Sequence, residues 1–280
     1  MSCRLLGFYA KSRKFVEDLL DALIKASRYD HIAAKVIGSF DKHDDGWGCV
    51  LALKNDDYWR VLFYKSVKPI WEEDLSFLKS SLNFKYVAGL IHTRKASRNT
   101  PIDTFSAHPF SVVTADGSTL YVIQNGGIKK KESWEVICEE YDFEPDDVSD
   151  TFIYTLMLAK YYRQRSGAPP ERLAKTLRKL HSFLEVEDLA GRCVNTFILQ
   201  YSPGDRVSLG VVVAYYNEKY VDYYKVYKVT SNENELAFVS STVAEVLATK
   251  GYTPELVENR KVLVYVFEEE ELKEIEYNLE

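Results

Sequence analysis

The sequence predicts an α+β fold built on antiparallel sheets, and three observations carry that expectation. About a dozen short apolar stretches are interleaved with a few segments of helical spacing, short polar turns join many of them, and the chain holds 20 Tyr and 14 Phe. Short turns connect antiparallel neighbours, parallel strands need long crossovers, and strands favour aromatic residues.

In order along the chain, Arg4 to Ala10 reads as a strand, and Phe15 to Ala26, with Leu and Ile at helical spacing, as a helix. Strands are expected at Ala34 to Ser39, Cys49 to Leu53, Trp59 to Tyr64, Tyr86 to His92, Phe110 to Val113 and Leu120 to Gln124, and a helix at Trp71 to Leu82. Val148, Phe152, Thr155, Leu156 and Ala159 line one face of a helix over Asp146 to Arg165, and Pro170 opens another that reaches Leu184. Alternation returns at Val194 to Gln200, Ser208 to Tyr215, Tyr223 to Thr230, Leu236 to Ser240 and Val262 to Phe267. Polar turns at Ser202 to Arg206, Asn217 to Lys219 and Ser231 to Glu235 make hairpins of these strands. Lys129 to Lys131 reads as a solvated turn and Glu268 to Glu271 as a solvated tail. Gly167-Ala168-Pro169-Pro170 reads as a helix-to-helix turn, and with no repeat or linker a single domain over residues 1–280 is expected.

Composition narrows the function. With 280 residues, 46% hydrophobic and 28% charged, the chain buries a large core, which excludes collagen-like and disordered classes. Lys plus Arg is 36 against 42 Asp plus Glu, a net charge of −6, so no general positive field exists to hold a phosphate backbone and no nucleic-acid partner is expected. The amino-terminal stretch lacks an apolar signal core and no run approaches the roughly 20 apolar residues of a membrane helix, so no membrane partner and a cytoplasmic location are expected. The cysteines at 3, 49, 138 and 193 form no C-x-x-C pair, which removes zinc ribbons, thioredoxin-type sites and a disulfide framework.

Four polar clusters sit at strand ends: His43-Asp44-Asp45-Gly46-Trp47-Gly48, His92-Thr93-Arg94-Lys95-Ala96-Ser97, Ser106-Ala107-His108-Pro109-Phe110 and Gln124-Asn125-Gly126-Gly127. Each alone reads as a turn or a strand end, Asn-Gly being a common hairpin signal. As an ordered set behind Cys3-Arg4-Leu5-Leu6-Gly7, they resemble the class II glutamine amidotransferases, a branch of the N-terminal nucleophile hydrolases. Asp45 to Gly48, His92 to Ala96, Ala107 to Phe110, Asn125-Gly126 and Asp150-Thr151 match that family's motifs, and Val239-Ser240-Ser241 resembles its late strand, so the likeness spans nearly the whole chain.

The resemblance implies a four-layer αββα sandwich of two antiparallel sheets flanked by helices, and hydrolysis of a γ-glutamyl amide with release of ammonia. A thiol attacks the carboxamide while the α-amine of the same residue takes its proton; that amine's usual pKa of about 7.7–8.0 suits it to the task. By carry-over Cys3 is the nucleophile, and the Asn125 amide with the N–H of Gly126 forms the oxyanion hole. Arg94 binds the substrate carboxylate with Ser97 as an auxiliary donor, and Asp150 takes the ammonium, the alternative for Asp150 being a helix N-cap. His108 shapes the pocket and Trp47 walls it. No cofactor is implied. The expected partners are glutamine or another γ-glutamyl compound and an ammonia-accepting synthase acting in trans.

One feature departs from the family. Ser2 stands between Met1 and Cys3, and an acylated Cys3 nitrogen has no basic lone pair. Three outcomes stay open: removal of Ser2 as well, an amino-terminal Ser2 nucleophile, or a catalytically silent glutamine-binding protein of the same fold. Lys95, Arg98-Asn99 and Gln124 also differ from the residues common in relatives. A metal hydrolase using His43, Asp44, Asp45, His92 and His108 is the rival enzyme, although the Gly-Trp-Gly continuation has no metal rationale.

Overall fold

Strand β1 (Arg4–Ala10) is buried along its whole length and lies inside its sheet with neighbours on both sides. The computed structural model describes residues 3–55, 58–97, 100–231, 234–268 and 271–279. Ser12 caps helix α1 (Arg13–Arg28) by accepting from the Phe15 N–H, which satisfies a donor the helix cannot, and Asp30 caps α2 (His31–Val36) through the Ala33 N–H. Next come β2 (Trp47–Asn55), β3 (Tyr58–Ser66), the short α3 (Ser76–Ser81) and β4 (Tyr86–Thr93). Strands β5 (Phe110–Val113) and β6 (Thr119–Ile128) precede α4 (Lys130–Glu135), α5 (Asp150–Arg163) and α6 (Pro169–Val186). The long pair β7 (Ala190–Ser202) and β8 (Arg206–Val213) follows. A single helical turn, α7 (Val221–Tyr224), leads to β9 (Val226–Thr230), β10 (Leu236–Ser240), α8 (Ser241–Thr249) and β11 (Glu255–Leu256). The chain closes with β12 (Lys261–Glu268) and β13 (Glu271–Asn278).

These elements group into two compact units. One comprises the chain through Pro109 together with Asn217–Val257. Its sheet runs β11-β9-β10-β1-β4-β2-β3, every pairing antiparallel. Phe15, Leu19 and Leu23 of α1 and Val243 and Leu247 of α8 pack with Leu6, Phe8, Leu51 and Val239 of the strands, so one helical face supplies one core. The other unit, Phe110–Tyr216 and the chain from Glu258, holds the sheet β13-β12-β8-β7-β6-β5, again antiparallel. Ile153 and Met157 of α5 and Leu173, Leu177 and Leu180 of α6 pack with Ile198, Val212 and Val264.

The α+β expectation holds, and the differences have local causes. Ala34 to Ser39 is not a strand: the Asp30 cap starts a helix ahead of it, and Ile32 and Ala33 are buried from that helix. The helix expected over Trp71 to Leu82 is broken, because the Asp74 carboxylate accepts from the Ser76 N–H and hydroxyl and restarts the chain as α3. Tyr223 and Tyr224 belong to α7, and their strand begins only at Val226. Lys130 and Lys131 open helix α4 instead of a turn, and Lys129 pairs with Asp188 at 2.6 Å. Of the expected tail, Glu268 ends β12 and Glu271 opens β13, residues 269 and 270 lying outside the described residues; Ile275 and Tyr277 of β13 pack on the second core while Glu274 and Glu276 face solvent. Among the described residues no helix is long and apolar enough to cross a membrane.

Candidate functional site

Antiparallel pairing gathers the first group of expected residues at one end of the first sheet. Arg4 pairs with Thr93 and Trp47 pairs with the same Thr93, so Cys3, just before β1, and Arg94, just after β4, flank one register position beside the start of β2. Strand β10 ends here too: Leu6 pairs with Val239, and the Ser240 hydroxyl accepts from the Leu5 N–H at 2.9 Å. Cys3 is fully buried, with its carbonyl accepting from the Tyr223 hydroxyl at 3.4 Å.

Arg94 is also fully buried, and none of its three guanidinium nitrogens has a hydrogen-bond partner among the described residues. A buried cation without hydrogen bonds is costly, and its five-donor fork matches a carboxylate. The backbone around it is fixed: its N–H donates to the Gly46 carbonyl at 2.9 Å, and its carbonyl accepts from the Asp45 N–H at 3.0 Å. Lys95 forms ion pairs with Asp44 at 2.6 Å and Asp45 at 3.1 Å, and Asp45 also accepts from the Ala96 N–H. The departure at position 95 therefore ties the two loops together. Ser97 lies exposed beyond them, while Arg98 and Asn99 fall outside the described residues.

Trp47 packs against Tyr64 and Phe77, with ring centroids 5.1 and 6.5 Å away, and its indole N–H is buried without a partner among the described residues. A Cβ on Gly48 would come within 2.2 Å of the His108 carbonyl, so only glycine lets that loop approach β2. His108 stacks on His92 with centroids 4.0 Å apart. Burial first, then His92, Arg94 and Lys65, push His108 well below the usual histidine range, so this ring is neutral at physiological pH.

Asp30 was not foreseen as part of any site. Its carboxylate accepts from Arg4 Nε at 2.5 Å, His43 Nε2 at 2.7 Å and the Thr242 hydroxyl at 2.7 Å. Arg4 also donates to the Tyr223 carbonyl and lies 4.1 Å from that ring's centroid. Burial opposes both charges, but Arg4 and His43 hold Asp30 well below the usual carboxylate range. The signal was present in an acid four residues ahead of Ala34 and in an Arg directly after the candidate nucleophile. His43, Asp44 and Asp45 are thus committed to protein partners, and among the described residues no three His, Cys, Asp or Glu side chains gather as a metal requires.

The second group lies in the other unit. Asn125 and Gly126 do not form a hairpin turn; they sit within β6, paired to Asn195 and Val194 of β7, just before a shift of register. Gly126 has φ +105°, and a Cβ there would lie 1.9 Å from the Cys193 carbonyl oxygen. Gly126→Ala is expected to cost at least about 2 kcal/mol, from the φ strain and the clash together, read as a lower urea midpoint. An unchanged midpoint would refute the close approach. Ser149, not Asp150, caps α5. Asp150 accepts from the Thr151 N–H at 3.0 Å and from the Ile128 N–H, while burial pushes its carboxyl above the usual range. Gln124 bridges the hydroxyls of Thr151 and Thr196, both at 3.2 Å.

Burial pushes the Cys49 thiol up to about 12 and Cys193 higher still, which makes both poor nucleophiles at neutral pH. Cys138 is exposed and outside both groups.

No protein-family model matches the sequence, and no curated protein resembles it at the sequence level. Solved structures do match the fold. The glutamine phosphoribosylpyrophosphate amidotransferase of B. subtilis, complexed with ADP and GMP, superposes with a TM-score of 0.60 at 13% identity over 98% of this chain and 49% of that one. A structure described as the allosteric regulatory enzyme of purine biosynthesis gives 0.58 at 12% identity over 98% and 48%. A glutamine aminotransferase class-II domain protein from Silicibacter pomeroyi gives 0.51 at 14% identity over 99% of this chain and all of its own. The chain spans about half the length of the first two. It has the fold of class II glutamine amidotransferase domains.

Proposed function

We propose that the protein cleaves the γ-carboxamide of glutamine, or of a larger γ-glutamyl compound, through a Cys3 thioester. The observation that carries this reading is the buried, hydrogen-bond-free guanidinium of Arg94 beside the strand end that holds Cys3. In the reaction, the amine of Cys3, freed by removal of the residues ahead of it, takes the thiol proton as sulfur bonds to the amide carbon. The carbonyl electrons move to oxygen, and Asn125 and the Gly126 N–H are assigned, from the resemblance, to that oxyanion. Collapse breaks the carbon–nitrogen bond, the same amine returns its proton, and ammonia leaves. Water then cleaves the thioester to glutamate and free thiol. Arg94 grips the α-carboxylate bidentately, Asp150 is assigned to the α-ammonium, and Ser97, His108 and Trp47 complete the pocket by the same carry-over. The chain is proposed to work as a single glutaminase domain, with an ammonia-accepting synthase as its partner.

Amino-terminal sequencing of the purified protein, coupled to an ammonia assay with glutamine, tests this directly. A mature chain starting at Cys3 that releases ammonia supports it; a chain still carrying Ser2 that turns over at full rate overturns it. A chain that retains Ser2, binds glutamine and releases no ammonia marks the silent binding protein. Arg94→Met is expected to raise KM about a hundredfold, the loss of two charge-assisted hydrogen bonds of about 1.5 kcal/mol each. The same variant is expected to melt higher than wild type without ligand, because it removes an uncompensated buried charge. A parallel fall in Tm and unchanged KM would make Arg94 structural.

A further inference from the structure

We infer that a groove on the outer side of α6 is a binding site for a small molecule carrying two or more phosphates, independent of the chemistry proposed above. The groove is open to solvent, has a volume of about 600 Å³, and is lined by Arg165, Lys175, Arg178, Lys179, Ser182 and Tyr277. That volume lies within the range of about 300–1,000 Å³ typical of small-molecule sites.

The helix brings these charges together by its period. Lys175, Arg178, Lys179 and Ser182 stand at i, i+3, i+4 and i+7 of α6, one face, with Arg165 added from the turn after α5 and Tyr277 from β13. Like charges at i and i+4 repel, so Lys175 and Lys179 destabilise the helix that displays them. Elsewhere the protein neutralises such cations: Lys14, Lys160 and Arg172 each sit within 3.1 Å of a carboxylate. The side chains of Arg165, Lys175 and Lys179 make no hydrogen bond or ion pair among the described residues, and the Arg165 Nε is buried without a partner there. Arg178 lies over the Tyr277 ring at 5.7 Å, which holds its fork at the groove wall.

Four cations in one groove match several negative charges, more than a single carboxylate offers. Guanidinium forks and hydroxyl donors together suit tetrahedral phosphate oxygens. A long polyanion is disfavoured by what brackets the patch. Glu171 precedes it on α6, Glu187 and Asp188 follow it, and the whole chain is acidic at −6, so the positive field is confined to about the length of a di- or triphosphate.

The test is calorimetric titration of the full chain with inorganic tripolyphosphate at about 0.15 M salt, where surface charges are screened beyond about 8 Å. Lys175→Glu with Lys179→Glu is compared with Lys35→Glu plus Lys68→Glu, two exposed lysines elsewhere, so both variants change net charge equally. One saturable site is expected in wild type and in the Lys35/Lys68 variant, weakened at least about tenfold in the Lys175/Lys179 variant. The charge-neutral pair Lys175→Gln and Lys179→Gln, with an unchanged melting curve, is expected to weaken binding as well and separates site loss from misfolding. The proposal is overturned by the absence of saturable binding, by equal weakening in both glutamate variants, or by binding only to phosphoinositide vesicles or single-stranded RNA and not to free tripolyphosphate.

Discussion

Cys3→Ala is expected to release no ammonia from glutamine above background, a loss on the order of 10⁶-fold if the proposed nucleophile and its base act as a unit, as such groups do. None of the other three cysteines is suited to take over the step. Cys49 and Cys193 are held in the thiol form by burial, and Cys138 lies exposed on another part of the chain. Alanine removes only the sulfur and leaves Arg94 and the strand ends in place, so under the proposed function glutamine is expected to raise the melting temperature of the variant as it does that of wild type. A stopped or coupled ammonia assay and a thermal shift on one preparation read both effects. Activity retained in Cys3→Ala would defeat the thioester mechanism; activity and thermal shift lost together would instead make Cys3 part of the binding pocket or the fold.

The largest stability loss is expected from Asp30→Ala, about 3–5 kcal/mol, the usual penalty for leaving one member of a buried ion pair without its partner. Arg4 is fully buried, and Asp30 also accepts from His43, Thr242 and the Ala33 N–H, so one truncation strands four donors. Urea unfolding at neutral pH measures it, and a loss below about 1 kcal/mol would place the pair among weak surface bridges. The pH dependence has a defined sign. A carboxylate whose folded pKa lies below its unfolded value of about 3.9 stabilises fully above that value and loses the contribution as pH falls towards the folded one. Wild type is therefore expected to lose stability progressively below about pH 4, and Asp30→Asn to show a flatter acid limb in the same titration.

How far the sequence could be read depended on whether the information was local. Helical spacing marked α1, and short apolar runs marked β1, β4, β7 and β8, which are buried along most or all of their length. The same reasoning failed where a single polar side chain redirected the backbone, as Asp30 did ahead of Ala34 and Asp74 did ahead of Ser76. It failed again at β13, where Glu-rich sequence hid the alternation of Ile275 and Tyr277. Asn125-Gly126 misled as a turn signal because its glycine serves a close approach to Cys193 within paired strands. The candidate site was legible only as an ordered set of motifs; nothing in the spacing of Arg4, Asp30 and Thr242 announced that they would meet.

Strand and helix identity, the acidic balance and the cluster of glycine-flanked motifs were inherent in the order of residues, since each rests on neighbours within a few positions. Which polar groups end up paired was decided by folding alone. Asp30 joins Arg4 across 26 positions and Thr242 across 212, whereas the guanidinium of Arg94, equally buried, finds no hydrogen-bond partner among the described residues. Antiparallel registry sets those distances in space, and a buried charge is satisfied or left waiting according to that registry, not to its place in the chain.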